Sequence, residues 1–177
     1  MSGAVGQIRA DGAGVAAFIE DLRDVPIIVE PQVVRRRSRD FFWYSPILNE
    51  ELRGKSAEVV VAPRDEADVI AIARAAARRG VPLTPRGGGT GNYGQAVPLQ
   101  GGALVDFSGM TRLKWSKPGV VRVEAGAKMG AIDEALRASG FELRMHPSTK
   151  RTATIGGFVA GGSGGVGSVA YGGLRDP

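Results

Sequence analysis

Apolar positions recur along the chain in two rhythms, one helical and one alternating, and their order predicts a mixed fold. Between Gly14 and Leu22, residues Val15, Phe18, Ile19 and Leu22 share one face of a short helix. The β-branched run Ala57-Glu58-Val59-Val60-Val61-Ala62 reads as a strand. Asp65, with Asp68 three residues on, caps a helix whose buried stripe is Val69, Ile72, Ala73 and Ala76, and Gly80 stops it. A second strand runs into a glycine loop, and Ala103-Leu104-Val105-Asp106-Phe107 leads out as a third. Strand, helix, strand, loop and strand in this order make a small α/β lobe with the loop at a strand's carboxyl end. A second lobe starts near Leu113. There Gly119 to Gly126 form a turn and a strand with Val121 and Val123 on one face, and Met129, Ile132 and Leu136 space a helix that Gly140 ends. Residues 1 to about 12 have no periodicity and are expected to be poorly ordered, while Leu52-Arg53-Gly54 reads as a hinge into the main fold.

Composition narrows the functional classes. At 177 residues, with 43% hydrophobic and 23% charged positions, the chain holds one domain or two small lobes. No apolar run approaches a membrane span and the amino terminus lacks a signal-peptide layout, which makes the cytoplasm the default location. The absence of cysteine removes disulfides, thiolate metal sites and a cysteinyl link to a cofactor. With His146 as the single histidine, a clustered-imidazole metal site or a histidine-based triad has no residues to build it. The net charge of +5 peaks at Arg35-Arg36-Arg37-Ser38-Arg39, but Asp40, Glu50 and Glu51 lie close by and no aromatic interleaving is present. A solvated or interface face fits better than a nucleic-acid surface, with attraction of anionic ligands second. The adjacent Phe41-Phe42-Trp43-Tyr44 is expected to plug its segment into a core.

Two stretches carry candidate chemistry. The first is Val81-Pro82-Leu83-Thr84-Pro85-Arg86-Gly87-Gly88-Gly89-Thr90-Gly91-Asn92-Tyr93-Gly94-Gln95. Its prolines favour an extended approach, its glycines let consecutive backbone N–H groups converge on an anion, and Arg86 adds a forked cation. A pyrophosphate suits this better than a single carboxylate. Gly89 to Gly94 also satisfy the dinucleotide fingerprint, but Pro98, Gly101 and Gly102 stand where its helix would run. The second stretch, Pro147 to Gly165, is rich in glycine and serine. Its apolar members Ile155, Phe158 and Val159, followed by Val166, Val169 and Tyr171, argue against a solvated linker and for close backbone approach to a ligand.

Together, Pro85-Arg86-Gly87-Gly88-Gly89-Thr90 and, about sixty residues on, Pro147-Ser148 with Thr154-Ile155-Gly156-Gly157, joined through Val123-Glu124-Ala125-Gly126, resemble a known family. It is the FAD-binding domain of the vanillyl-alcohol oxidase and p-cresol methylhydroxylase flavoproteins, and within it the FAD-linked oxidases of glycolate oxidase and D-lactate dehydrogenase type. The resemblance runs from about residue 53 to the end. It implies an α+β fold with an N-terminal extension over 1–52 and an FAD-binding domain over 53–177. The domain's two lobes cover about 53–112 and about 113–177, the second one incomplete.

The resemblance also implies site residues. Arg86, Gly87, Gly88, Gly89, Thr90, Gly91 and Asn92 would wrap the pyrophosphate; Pro147, Ser148, Thr154, Gly157 and Phe158 would lie along the flavin and its ribityl chain, with Gly164 and Gly165 completing that wall. Thr90 stands where members with covalent flavin carry a histidine, which implies noncovalent FAD. The implied activity is dehydrogenation of a small, anionic 2-hydroxy acid, with a cap domain or partner chain beyond residue 177 supplying the catalytic groups; a homo-oligomer and a nonenzymatic flavin- or nucleotide-binding module are alternatives. No metal, nucleic acid or integral membrane segment is implied. His146 is read as packed beside Pro147, and the pair Asp133-Glu134 as solvated on a helix flank.

Overall fold

The computed structural model describes residues 12–175. They fall into two compact units. One holds the described residues of Met1–Pro85 with Gly91–Asp106, and the other holds Arg86–Thr90 with the described residues of Phe107–Pro177. The expectation for residues 1 to about 12 lies almost wholly outside the described residues.

In the first unit, helix α1 (Gly12–Asp21), strand β1 (Ile27–Ile28), helices α2 (Pro31–Arg37) and α3 (Pro46–Glu51), strand β2 (Val59–Val61), helix α4 (Glu66–Arg79) and strands β3 (Leu83–Arg86) and β4 (Ala103–Asp106) follow one another. The sheet order is β1-β2-β4-β3. β1 runs antiparallel to β2, with Ile27 opposite Val61, and β2 runs parallel to β4, with Val59 opposite Ala103. β2 and β4 are buried along their whole length, which is why Val59–Val61 and Ala103 to Val105 are continuous apolar runs instead of alternating ones. Residues 12–52 are built into this unit: β1 extends the sheet, and Asp21 of α1 receives Arg78 and Arg79 of α4 at 3.2 and 3.0 Å.

Helix α4 starts and stops on the residues that predict it. Asp65 accepts a hydrogen bond from the Asp68 amide at 3.0 Å, and Gly80 takes the left-handed conformation at φ +62°. Its buried stripe is Asp68, Ile72, Ala75 and Ala76, so the expectation for Ala73 fails: the stripe follows i, i+4, i+7 and i+8 from Asp68, and Ala73 points off it. Asp68 tolerates burial because the Arg64 side chain and amide reach it at 2.8 and 2.9 Å, which holds its carboxyl below the usual carboxylate range. The aromatic run also departs from expectation. Only Phe42 is buried, whereas Phe41, Trp43 and Tyr44 are exposed, because the short helical turn Phe42–Tyr44 spreads their side chains around its axis. Within the arginine run, Arg35 and Arg36 are exposed at the end of α2, while Arg37 pairs with Asp106 at 2.6 Å.

The second unit contains a helical turn at Phe107–Gly109, the hairpin β5 (Leu113–Lys117) and β6 (Val120–Val123), and helices α5 (Met129–Arg137), α6 (Ile155–Ala160) and α7 (Ser168–Tyr171). Phe107 thus falls outside β4. The hairpin turns at Gly119, φ +78°. Met129, Ile132 and Leu136 are buried on α5 as their spacing predicts, and Val121 and Val123 pack on the cluster of Ala127, Ile132 and Leu136. Asp133 corrects the sequence reading. It is 2% exposed, accepts from the Leu143 amide at 2.9 Å, and pairs with Lys150 at 2.6 Å and Arg137 at 3.1 Å. Burial raises its pKa, but these donors and cations outweigh it and leave the carboxyl below its ordinary value.

Candidate functional site

The first glycine loop belongs with the second glycine-rich region. β3 brings the chain to Arg86, and Arg86–Thr90 then sits in the unit that holds residues 107–175. A Cβ on Gly87 would overlap Thr154 Oγ1, and one on Gly88 would overlap the Thr152 carbonyl. Gly89 takes φ +63°, and the space a Cβ would fill over it is occupied by the Arg86 guanidinium. The glycines are therefore needed first for docking: side chains at 87 and 88 would lift the loop off residues 152–154.

The platform under the loop is held by local turns and by α5. Lys150, Thr152 and Ala153 donate backbone hydrogen bonds to Pro147, Thr149 and Thr149 at 3.1, 2.9 and 2.8 Å. Gly130 donates to the Lys150 carbonyl and Met129 to that of Ala153, while Ile155 and Gly156 donate to Ala127 and Ala125. Thr154 is buried and caps α6, its hydroxyl accepting from the Gly157 amide at 3.4 Å. The linking segment is anchored too: Glu124 is buried under Arg112 and Lys114 at 2.8 and 3.0 Å, and chiefly the Arg112 hydrogen bonds hold its carboxyl down to about 2.

The other sequence-derived residues divide by what they can offer. Gly91 and Asn92 lie in the first unit, where Gly91 accepts from the Phe41 amide at 2.8 Å. Pro147 is half-buried and Ser148 exposed. The Phe158 side chain packs in the core with Met129, Met145 and Ala153, and the residue is buried as a whole. Gly164 is exposed beside Ser168, and Gly165 lies against the His146 carbonyl, its amide donating to Ser168 Oγ at 2.8 Å. His146 pairs with Val166 as an antiparallel bridge and has Nδ1 3.2 Å from the Pro147 carbonyl, as packing beside Pro147 requires. The docking of the loop on Thr152 and Thr154 is what sequence reasoning missed; the glycine triplet reports that something approaches closely, without saying that it is another part of the chain.

Hydrogen-bond accounting then separates the loop from its platform. The backbone N–H groups of residues 87–92 donate to no acceptor among the described residues. Gly88 and Asn92 are exposed and Gly87, Gly89, Thr90 and Gly91 half-buried, so these consecutive amides are open to solvent or to an acceptor from outside the chain. Among the described residues, no group of three or more His, Asp or Glu side chains could hold a metal ion, and no helix is long and apolar enough to cross a membrane.

In comparison with known proteins, the family model described as an FAD binding domain matches residues 57–177. This chain belongs to the family of FAD-binding domains. The match begins just before β2 and takes in both glycine-rich regions, leaving out α1 to α3. A D-lactate dehydrogenase of Archaeoglobus fulgidus is 36% identical over 119 residues, which cover 67% of this chain and 27% of the relative. A D-2-hydroxyglutarate dehydrogenase of Escherichia coli is 42% identical over 125 residues, covering 67% of this chain and 12% of the relative. The chain thus spans about a quarter of the first relative's length and an eighth of the second's. Among solved structures, alkyldihydroxyacetonephosphate synthase matches 88% of this chain and 33% of its own at a TM-score of 0.75 and 19% identity. BBE-like 1 of Physcomitrella patens matches 89% of this chain and 33% of its own at a TM-score of 0.70 and 20% identity. These likenesses establish the α+β fold of this FAD-binding domain.

Proposed function

We propose that this chain is the cofactor-holding part of a flavin-dependent dehydrogenase acting on a small, anionic 2-hydroxy acid, with FAD bound noncovalently. The observation that carries the reading is the run of amides at 87–92 that have no partner among the described residues, on a loop whose Gly87 and Gly88 dock against residues 152–154. In it, the amides of Gly87, Gly88, Gly89, Thr90, Gly91 and Asn92 bind the pyrophosphate. Arg86 braces the loop across Gly89 and adds positive charge. The exposed Gly157 and the edges formed by Pro147, Ser148, Gly164 and Gly165 orient the flavin half, and the buried Phe158 and Thr154 keep that wall in place. When bound, FAD supplies the hydride acceptor. The substrate class comes from the relatives named D-lactate and D-2-hydroxyglutarate dehydrogenase, and the groups that bind substrate and remove its proton belong to polypeptide outside these residues, in a cap domain or partner chain.

Noncovalent attachment is tested by unfolding yellow, FAD-loaded protein in acid and centrifuging it. The flavin is expected in the supernatant; flavin pelleting with the polypeptide overturns that part of the reading. The 177-residue chain should bind FAD in competition with ADP yet leave an artificial electron acceptor unreduced in the presence of lactate or glycolate. Dye reduction above a buffer control would put the catalytic groups inside this chain, and no FAD binding at all would reduce the loop to a structural turn.

A further inference from the structure

Asp40 lies outside the stretch matched by the family model and outside every residue discussed for cofactor binding. It is 5% exposed, and its two carboxylate oxygens have different fates. Oδ1 accepts from the Phe42 amide at 2.9 Å, fixing the turn that starts the aromatic run. Oδ2 is buried with no hydrogen-bond partner among the described residues. The next residue, Phe41, donates its amide to the Gly91 carbonyl at 2.8 Å, which pins Asp40 to the end of the glycine loop. There Oδ2 points at Gly91: a Cβ on that glycine would stand 3.3 Å from Asp40 Oδ2 and 2.5 Å from Gln95 Oε1. Gln95 Oε1 already accepts from the Tyr93 amide at 3.2 Å.

A buried carboxylate oxygen without a donor is costly, and a folded chain keeps one where a donor arrives from outside. The cost is greater here because the group is acceptor-only when ionised. The amides of Gly91 and Asn92, in the same unit as Asp40, suit an acceptor-rich anion, so the donor that Asp40 lacks is supplied by a different part of the same ligand. A nucleotide has both: phosphate oxygens that accept, and sugar hydroxyls one linkage away that donate. We infer that Asp40 Oδ2 accepts a hydrogen bond from a sugar hydroxyl of the bound dinucleotide, either on the adenosine ribose or on the ribityl chain. The inference rests on the FAD reading above and adds a residue upstream of the matched domain to the site. Gly91 is glycine in part because a side chain there would fill the space between Asp40 and Gln95.

The test is fluorescence and calorimetric titration of wild type, Asp40→Asn and Asp40→Ala with FAD, FMN and ADP, together with melting of the ligand-free proteins. Asp40→Asn keeps an acceptor for the Phe42 amide and exchanges the charged acceptor for a neutral amide. It should bind FAD about tenfold more weakly, since hydrogen bonds to ionised groups are roughly twice as strong as neutral ones, with its ligand-free melting temperature unchanged or raised. Asp40→Ala should weaken FAD further. If the hydroxyl is on the adenosine ribose, ADP weakens in step and FMN does not; if it is on the ribityl chain, the reverse holds, and either pattern supports the inference. Wild-type affinity of both variants for all three ligands overturns it while leaving the FAD reading intact. A lower melting temperature of ligand-free Asp40→Asn with equal losses for FMN and ADP would make Asp40 a structural prop and also overturn it. Failure of wild type to bind FAD would remove both readings together.

Discussion

The two glycine-rich regions look alike in composition and are opposite in hydrogen bonding. In the second region, most amides are spent on the protein itself: Gly156 donates to Ala125, Gly161 to Gly157, Gly162 to Val159, Ser163 to Phe158, Gly165 to Ser168 Oγ and Val166 to His146. In the first, residues 87–92 spend none on the described residues. Both regions use glycine to bring backbone against backbone, since Gly88 sits under the Thr152 carbonyl much as Gly165 sits under that of His146. Close approach is therefore common to both and cannot mark the ligand site. Spare donors can, because an amide that neither folds the chain nor meets a side chain has only solvent or a ligand left. In the proposed reading, the second region is the platform and the first is the cradle.

The largest effect that would sharpen this division is loss of Asp133, which ties α5 to the platform through Lys150 Nζ at 2.6 Å and through the Leu143 amide. Asp133→Ala strands a buried amide and an ammonium, and is expected to cost about 2–3 kcal/mol of stability. FAD affinity, measured well below the melting temperature, should move less than about threefold; this margin corresponds to about 0.7 kcal/mol. An equal loss in both quantities would erase the distinction between platform and cradle. Acid should reproduce part of the effect. The folded-state pKa values of Asp133 and Glu124 are depressed, so their contribution is fully present above the unfolded carboxylate range and is lost as pH falls through the folded values, for Glu124 from about 4.5 to about 2. The melting difference between wild type and Asp133→Asn should therefore be full at neutral pH and shrink steadily below about pH 4.

Next in size is a matched pair, Gly88→Ala and Gly165→Ala. Each new Cβ meets a carbonyl oxygen of the main chain, and neither glycine has positive φ, so the cost is overpacking alone, about 1–3 kcal/mol. The outcomes should differ in kind. Gly165 is pinned beside the His146–Val166 bridge, and its variant should melt lower while FAD binding changes little. Gly88 is exposed on a loop that can lift, and its variant should keep most of its melting temperature while FAD binding falls about 10- to 100-fold, the same free energy appearing in the ligand equilibrium. Thermal melts with and without FAD read both, and interchangeable behaviour of the two variants would break the comparison.

What was legible in the sequence was legible for local reasons. Asp65 and Gly80 bound α4 because a cap and a left-handed stop act on their own helix, and Met129, Ile132 and Leu136 announce α5 because its face is buried at the helical period. The glycine triplet after Pro85-Arg86 announces close approach, because a Cβ at 87 or 88 would overlap Thr154 or Thr152. The remainder depends on distant partners. β1 is a residue pair that counts as a strand only through Val60 and Val61 opposite it. β5, Leu-Lys-Trp-Ser-Lys, is exposed throughout and is defined by pairing with β6. Asp133 looks like any helix-flank carboxylate until Lys150 and Leu143 close over it, and Thr152 carries no sign that it will support Gly88. Outside the β5–β6 hairpin, the deciding contact lies ten or more residues away, where periodicity has no reach.

The smallest expected effect is also the most specific test that the loop rests on the platform. Thr154→Ala removes a cap whose hydroxyl reaches the Gly157 amide at 3.4 Å, a long bond, so its cost belongs near the low end of the usual range, about 0.5–1 kcal/mol. Gly87→Ala places a methyl group on the same hydroxyl and should cost about 1–2 kcal/mol in stability or FAD affinity. In the double variant the oxygen that the new methyl meets is gone, while the Thr154 Cβ at 3.3 Å remains as a tight but tolerable neighbour. The double variant should therefore be better than the sum of the single ones by about 0.5–1 kcal/mol, a coupling of the size expected for residues in direct contact. Thr154→Ser keeps the hydroxyl and should not rescue Gly87→Ala. Strict additivity across the cycle, read by melting and by FAD titration, would mean that residue 87 does not rest on residue 154, and the docking that joins the two glycine-rich regions would have to be abandoned.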